Sequence, residues 1–363
     1  MILQELKGVF NVADWTSSMQ QTFEYYIVDP GTWKDKQLLT DVISAEINRD
    51  IEAETLGSAS INVTESTGEC YVRIYLVTIQ NGIREKHPLG TFLVQTPSTS
   101  FNGRISNISM DAYTPLLELK EGLPPLGYST LKNANIMDTV YLLTREHMRA
   151  PVVKASCDDT LTYDFVAETD ETWISYINYL MSNAKYRFDL DELGRVLFAP
   201  KQDTASLQPV WTYNDDNSSI LYPDVDLEHD IYGIPNIVEV IYSNNNGYYY
   251  SRVVNDDVNS PTSTVNRGRE IVHRATNPDL TGEATQEQID EYAKKLLREL
   301  STLEYTVTYT HGYCPVRLGD CVRLNYSRAG LNDIKARVIS QSIKCVPGCP
   351  VTEKAVFTNK LWG

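Results

Sequence analysis

Alternating apolar and polar residues recur along much of this chain and predict a protein built mainly from β-strands. In the first third, the alternation predicts strands over residues 39–54, 59–63, 71–79, 89–95 and 105–112. An Asn81-Gly82 pair follows the third of these and is typical of a tight hairpin turn. Two prolines within residues 122–127 interrupt the pattern and indicate a domain boundary near residue 126.

Helical spacing appears in the middle of the chain. Asn135 is a suitable N-cap for a helix with an apolar face, and Thr169 for a second helix. Residues 186–190 and 195–199 flank a Gly-containing turn and predict a β-hairpin. We therefore interpret residues 127–202 as a small α+β domain.

Strand patterns return in the last part of the chain. They cover residues 237–243, 248–253, 304–310, 321–326, 336–343 and 352–358. One helix starts at Thr285, where Gln288 completes a capping box. A Leu-Gly pair precedes a strand at residues 89–90 and again at 318–319, which favours two similar β-rich regions.

The predicted fold class is therefore mainly β with an α+β insert, organised as two β-barrels and one small α+β domain. The predicted domains are an N-terminal β-barrel domain over 1–126, the insert over 127–202, and a second β-barrel domain over 203–363. The last domain carries a long polar loop and one helix.

Two stretches, residues 46–54 and 224–230, place acidic residues at every second position, except that Asn48 replaces one of them in the first stretch. In a strand, alternate side chains share a face and lie about 6.6 Å apart, so each stretch predicts a strand with one acidic and one apolar face. The acidic face is either a solvated outer face, a charged edge that prevents strand pairing, or a wall that repels a polyanion. The candidate channel-lining residues are Glu46, Asp50, Glu52, Glu54, Asp224, Asp226, Glu228 and Asp230.

Composition narrows the classes of function. The net charge of −16 argues against binding to a nucleic-acid backbone or to an anionic membrane surface. The sequence contains no signal peptide pattern and no apolar run of membrane-spanning length, so we expect no membrane anchor. Six cysteines without a secretion signal indicate reduced thiols in a cytoplasm.

Candidate chemistry is sparse. Cys314, Cys321, Cys345 and Cys349 lack the close Cys-x2-Cys pairs of most zinc sites, so buried or surface thiols are expected there, and a zinc or disulfide cluster stays an open alternative. His229 falls on the apolar face of the second acidic stretch, where a structural histidine is the expected role. Residues 224–230 lack the glycine and spacing of an EF-hand loop. Pairs of carboxylates in the acidic stretches could serve glycoside hydrolysis. That reaction needs an apolar pocket to raise the pKa of one carboxylic acid, and the sequence indicates no such pocket. The residues thus predict no catalytic, cofactor or metal site.

Several short motifs resemble, in order and spacing, the tail hub proteins of bacteriophages. The first barrel of that family is similar to PLGTFLV (88–94), the following ISNISMDAY, and TPLLELKE (114–121). Its second barrel region is similar to IPNIVEV (234–240), RLGDCV (317–322) and ARVIS (336–340). The resemblance covers the chain from about residue 39 to 357.

The resemblance implies two tail-tube-like barrels per subunit and a homotrimeric ring at the distal end of a phage tail or contractile injection particle. The ring would cap the tail tube, and DNA or effectors would pass through its lumen without specific binding. Implied partners are tail tube or distal tail proteins, a tape measure protein and baseplate or spike proteins. The implied location is the virion tail tip or baseplate, after synthesis in the bacterial host cytoplasm.

The same resemblance implies a structural, non-enzymatic role, since the core family offers no catalytic residues to match. Some relatives carry an appended lysozyme or peptidase, and we expect none here because the sequence ends soon after its last predicted strand. Two other interpretations of the function stay open. In these, the chain is either a carbohydrate-binding or glycan-degrading tail protein, or a metal-stabilised β-rich binding module.

Overall fold

The computed structural model describes residues 13–362, apart from 66, 102, 104–105, 203, 230, 245–246 and 279–284. Strands account for 48% and helices for 15% of the structure, which confirms the predicted class, mainly β with an α+β insert. The described residues form two compact units. The first comprises residues up to Val225 together with Tyr309–Lys354, and the second comprises Asp226–Thr308 together with residues from Ala355 onward. The predicted boundaries near residues 126 and 202 stay predictions.

The first part of the chain is a series of strands followed by a short helix. These are β1 (Gln20–Val28), β2 (Asp35–Leu39), β3 (Val42–Asp50), β4 (Gly57–Val63), β5 (Tyr71–Gln80), β6 (Ile83–Phe101), β7 (Ser106–Tyr113) and α1 (Leu117–Glu121). The sequence pattern identified β4, β5 and β7 to within a few residues but did not identify β1. Asn81 and Gly82 both have positive φ, as the predicted β5–β6 hairpin turn requires.

The predicted strand over residues 39–54 is wrong in its bounds. The chain forms β2 and β3 instead, and β3 ends at Asp50. The Asp50 carboxylate accepts a hydrogen bond from the Glu52 N–H group at 2.8 Å, which closes a local turn. Leu56 then has a φ of 59° and Gly57 a φ of 147°, and the chain reverses into β4.

The middle of the chain combines two helices with one small hairpin and one pair of short strands that are distant in sequence. Its elements are β8 (Ser129–Thr130), α2 (Ile136–Glu146), β9 (Phe165–Val166), α3 (Trp173–Asn183), β10 (Tyr186–Leu190) and β11 (Val196–Pro200). Asn135 caps α2 as predicted, since its side chain accepts the Asp138 N–H at 2.9 Å. The predicted cap at Thr169 is wrong, because Thr172 has the extended backbone of an N-cap and accepts the Ser175 N–H.

The last part contains most of the remaining strands. Its elements are β12 (Pro209–Asn214), β13 (Leu221–His229), β14 (Ile237–Asn244), β15 (Gly247–Val254), α4 (Thr264–Arg267), β16 (Val272–Thr276), α5 (Gln286–Leu300), β17 (Thr302–Gly312), β18 (Cys321–Tyr326), β19 (Leu331–Lys344) and β20 (Pro350–Lys360). The capping box predicted at Thr285 and Gln288 is confirmed, with both reciprocal hydrogen bonds formed.

Most of the described strands belong to one large sheet. Its order is β13-β17-β20-β19-β3-β4-β7-β6-β5-β1-β2, and β18 pairs with β19 while β12 pairs with β18. The pairs from β19 to β2 are antiparallel, whereas β12 and β18 are parallel. Strands β13, β17 and β20 each contribute residues to both units. The pairing of β19 with β3 joins segments that are almost 300 residues apart in sequence.

In the first unit, the β10–β11 turn docks onto the β1–β7 strands through one carbonyl group. The Leu193 carbonyl accepts hydrogen bonds from the Trp33 indole (2.8 Å), the Thr91 hydroxyl (3.0 Å) and the Arg73 guanidinium (3.1 Å). Arg73 is almost fully buried and also pairs with Asp35 at 2.8 Å. A buried charge held by a carboxylate and a carbonyl fixes the position of this turn.

The second unit contains a small sheet in the order β15-β14-β16. One face of this sheet packs against α5. Val238 and Val240 of β14 meet Ile289, Ala293 and Leu297 on the apolar stripe of that helix. The spacing of these helix residues, with neighbours four apart, is the period that the sequence pattern used to predict α5.

Candidate functional site

A continuous polar surface covers one side of β19, β3, β4 and β7 in the first unit. Cross-strand register places its residues side by side in rows that run across the strands. We call this surface the polar face, and its members are Ser340, Ser342, Lys344, Ser44, Glu46, Asn48, Asp50, Ser58, Ser60, Asn62, Ser109, Asp111 and, at its edge, Tyr113. Each of these side chains is exposed or half-buried. Short hydroxyl and amide side chains therefore separate the charged ones.

The opposite side of the same strands is mostly apolar and buried. Ala45 and Ile47 of β3, Ile61 of β4, Met110 of β7 and Ile343 of β19 are each no more than 6% exposed. This division follows from the two-residue period of a strand, which sends successive side chains to opposite sides of the sheet. The core thus fixes the strand register, and the register in turn fixes which residues lie on the polar face.

Three carboxylates and one ammonium group give the polar face its charge. Glu46 lies opposite Lys344 on β19, and on its other side the row continues through Ser60 to Asp111. The Ser342 hydroxyl donates to the Glu46 carboxylate at 2.8 Å. Strands in a sheet lie about 4.8 Å apart, so Glu46 and Asp111 are about 10 Å apart. The polar face therefore carries a moderate net negative charge.

Glu52 and Glu54 do not belong to the polar face. Both lie in the turn between β3 and β4, where alternation of side chains no longer applies. Glu54 forms an ion pair with Lys120 at 2.8 Å, which offsets its charge. The sequence pattern failed here because acidic residues continue at alternate positions after the strand has ended.

The second acidic stretch forms β13, which ends the order of the large sheet. Asp224, Asp226 and Glu228 are exposed on one of its faces, while Asp230 lies outside the described residues. The other face is not the buried apolar face that the sequence predicts. Leu227 is 41% exposed there, and His229 is exposed and stacks on Tyr305 with 4.7 Å between the ring centroids.

Sequence reasoning missed a buried polar cluster in the core of the first unit. His311 and Glu353 are both fully buried, with 3.4 Å between imidazole Nε2 and carboxylate Oε1. The Tyr309 hydroxyl donates to Glu353 at 2.7 Å, and the Gln341 amide donates at 2.7 Å. Tyr213 also contacts both members of the pair. The alternation of side chains could have indicated this cluster, because it places His311 of β17 and Glu353 of β20 among the buried positions of their strands.

The surroundings of this cluster hold both groups in their charged forms. Burial alone favours a neutral imidazole, but the Glu353 carboxylate and Cys314 outweigh it and raise the pKa of His311 to about 10. Burial also opposes ionisation of Glu353, yet His311, Tyr309 and Gln341 together lower the pKa of Glu353. Both side chains of the pair are fully buried, so solvent does not reach them. We therefore regard it as a part of the core.

The late cysteines are buried thiols in this structure. Cys314, Cys321, Cys345 and Cys349 all lie in the interior and are free. Among the described residues, no three His, Cys, Asp or Glu side chains are placed to hold a metal ion. Burial raises the pKa of Cys345 to about 12 and also raises that of Cys349. In the described part of the chain, no helix has both the length and the apolar character needed to span a bilayer.

No protein-family model matches the chain, and no curated protein matches it. Comparison of the whole structure with solved structures is informative. A tail protein from Neisseria meningitidis MC58 is similar, with a TM-score of 0.60 and 14% identity over 93% of this chain and 96% of the other. The 43 kDa tail protein of prophage MuSo2 from Shewanella oneidensis is similar, with a TM-score of 0.57 and 11% identity over 92% of this chain and 98% of the other.

Both similarities extend over nearly the full length of each chain, so the whole arrangement of elements is shared and not one motif alone. At these levels of identity, the similarity concerns the fold. The resemblance to phage tail proteins predicted from short motifs is thus confirmed as a shared fold.

Proposed function

We propose that this chain is a structural subunit of a phage tail or a related injection particle. In this proposal, three copies form a ring that caps the tail tube, and the polar face lines the channel through which DNA or effectors pass. The fold shared with two tail proteins supports the tail role. The proposed partners are tail tube or distal tail proteins, a tape measure protein and baseplate or spike proteins, and the role needs no catalysis.

The observation that carries the channel assignment is the composition of the polar face. Its side chains are mostly serine and asparagine, with Glu46, Asp50 and Asp111 as its acids and Lys344 as a single base. A phosphate that approaches within 4 Å of a carboxylate meets a repulsion of about 1 kcal/mol in water. Basic residues would instead bind the backbone through counterion release. An acidic, hydrated wall therefore lets a polyanion slide.

Screening limits the range of this repulsion to about 8 Å at physiological salt. The acids consequently act only on DNA that comes close to the wall, and they leave the centre of a wide channel unaffected. Because a trimer presents three copies of each residue, the same acids recur around the channel. Asp224, Asp226 and Glu228 lie on a different strand, and their predicted role in the lumen stays a prediction.

Retention of DNA by the purified ring tests the assignment. Glu46→Lys, Asp50→Lys and Asp111→Lys would be combined in one variant. A control variant carries the same change of charge at the exposed residues Asp256, Glu291 and Glu304 of the second unit. The wild-type ring and each variant would be mixed with linear duplex DNA or with covalently closed circular DNA of the same length. The amount of DNA retained by the ring would then be measured as the salt concentration is raised.

We expect the polar-face variant to retain linear DNA at low salt and to release it as salt increases, while closed circles, which cannot thread a ring, are not retained. The wild-type ring and the control variant should retain neither form through the lumen. Equal retention of circles and linear DNA by the polar-face variant would mean that these residues face outward, and the channel assignment would be lost.

A further inference from the structure

A groove on the surface of the first unit, which we call the β1 groove, lies beside the start of β1. It has a volume of about 480 Å³. One wall is formed by residues between Trp15 and Gln21, and the other by residues around Tyr313 and Gly348. None of the described residues that line it carries a charge, although the whole chain has a net charge of −16. The groove therefore suits an uncharged ligand.

One wall of the β1 groove contains an unpaired donor, the indole N–H of Trp15. Its Nε1 atom is buried and has no hydrogen-bond partner within the part of the chain that the structure describes. The rings of His87 and Tyr313 make edge contacts with this indole, with 4.8 and 5.0 Å between centroids, and hold it in place. Trp15 and Tyr313 are only 9% and 8% exposed, so neither ring offers an open face on which a sugar could stack.

The same wall contains an unpaired acceptor, the side-chain carbonyl of Gln21. This oxygen is also buried, and among the described residues it has no hydrogen-bond partner. An unpaired buried polar atom costs about 1–3 kcal/mol, and native proteins keep few of them. The other side chains of the described structure that contain such an atom, Tyr71, Ser301 and Arg337, do not line the groove. One donor and one acceptor without partners thus come together at a single surface feature.

The adjoining half of β1 also has an open backbone edge. Strand β5 pairs with β1 along its whole length, from Gln20 to Val28, whereas β2 pairs with it only from Tyr25 onward. In the described structure, residues 20–24 therefore have a partner strand on one edge only. Gln20 and Thr22 are exposed there. Such an edge offers backbone N–H and C=O groups to an added strand, which is a common mode of peptide recognition.

We propose that the β1 groove binds an extended, uncharged peptide segment of a second protein. The segment adds to the open edge of residues 20–24, and its backbone accepts from the Trp15 indole and donates to the Gln21 side chain. A peptide backbone carries both an acceptor and a donor at each residue, and these are the two partners that the groove lacks. The half-buried side chain of Met19 lines the groove, and this flexible side chain moves to admit the segment. The inference is independent of the channel assignment, because none of these residues belongs to the polar face.

Binding of a defined peptide to the full chain tests the groove. The probe is a hexapeptide of alternating threonine and valine that is acetylated and amidated at its ends. The same peptide with N-methylated central residues is its counterpart, and it should bind about tenfold more weakly because it lacks backbone donors. In a chain with ¹⁵N-labelled tryptophan, the indole resonance of Trp15 should move downfield as the hydrogen bond forms. Loss of one resonance in Trp15→Phe assigns it.

The variant Gln21→Met separates binding from folding. Methionine keeps the length of the side chain and removes the unpaired oxygen, so the variant should be at least as stable as the wild type in thermal denaturation. It should nevertheless bind the peptide about tenfold more weakly, because one hydrogen bond to the segment is lost. Gln37→Met, at an exposed position of β2, is the matched control and should change neither property.

Several results would overturn the proposal. These are equal affinity of the wild type and Gln21→Met for the peptide, equal affinity for the N-methylated peptide, or an indole resonance of Trp15 that does not move. Binding of a neutral hexasaccharide in place of the peptide would refute the peptide assignment. If the peptide instead dissociates oligomers of this chain in sedimentation velocity, the occupant is a second copy, and the assignment to a different protein fails.

Discussion

Replacing Glu353 with glutamine should expose how much the core of the first unit depends on its buried ion pair. Glutamine keeps nearly the same shape and can still accept the hydrogen bond from Tyr309. It removes the charge that holds His311 protonated at a fully buried position. The substitution thus tests the electrostatic part of the cluster while it leaves packing almost unchanged.

The expected loss of folding stability follows from the pKa of His311. Its rise from 6.5 to about 10 means that protonation favours the folded state by about 4 kcal/mol at pH 7. Removal of one partner from other buried pairs costs about 3–5 kcal/mol, which is the same range. For a chain of this size, we expect the Glu353→Gln variant to unfold about 5 °C below the wild type.

The pH dependence has a definite sign. The pKa of His311 is raised on folding, so its contribution is complete below pH 6.5 and is lost as pH rises through about 10. The pKa of Glu353 is lowered from 4.5, so its contribution is present above that pH and is lost on acidification. The difference between wild type and Glu353→Gln should therefore be greatest near pH 6 and should shrink towards pH 10.

Differential scanning calorimetry between pH 5 and pH 10 provides the assay. Glu304→Gln is the matched control, because it replaces a glutamate with glutamine at an exposed position of β17. The control should shift the midpoint by less than 2 °C, since exposed carboxylates contribute little. A Glu353→Gln midpoint within 2 °C of the wild type at pH 6, or a difference that is the same at pH 6 and pH 10, would refute the reasoning.

Two further predictions concern the first unit. Gly194→Ala should destabilise the protein by about 2 kcal/mol in chemical denaturation, because Gly194 has a φ of 74° and an added Cβ would lie 2.7 Å from Thr91. Gly233→Ala, with the same φ and no atom within 4 Å, should cost only about 1 kcal/mol, and an equal cost for both would deny the clash. Cys345 and Cys349 should resist a thiol reagent at pH 8 until the protein unfolds, since burial raises the pKa of both thiols. Mass spectrometry of the modified peptides would measure the labelling of each cysteine. Rapid labelling of Cys345 or Cys349 in the folded protein would contradict their burial.

The elements that the sequence predicts well are those in which local pattern and tertiary environment agree. The strand at Tyr71–Gln80 and the helix at Gln286–Leu300 are examples, because a strong alternation or a capped amphipathic stripe leaves little choice of structure. The end of β3 at Asp50 was not predictable from alternation. There, a single hydrogen bond from the Asp50 side chain to the Glu52 backbone overrides a pattern that continues in the sequence.

The site was predictable only in part, for a related reason. Glu46 and Asp50 could be placed on one face of a strand, but Asp111 and Lys344 join them only through the pairing of distant strands. The docking of the Leu193 carbonyl onto Trp33 and Arg73 likewise depends on contacts between residues more than 100 positions apart. Such contacts are set by the tertiary fold and leave no local signal.

The two acidic stretches look alike in sequence, yet they occupy different positions in the large sheet. Strand β3 has neighbours on both sides, so its acids can act only through the face of the sheet. Strand β13 ends the sheet, so its acids lie where another strand can add. Charge reversal at Glu46 and Asp50 should therefore change what the ring retains without changing subunit association. The predicted place of Asp224 and Asp226 in the lumen is a separate matter, and the same retention measurement on an Asp224→Lys with Asp226→Lys variant tests it.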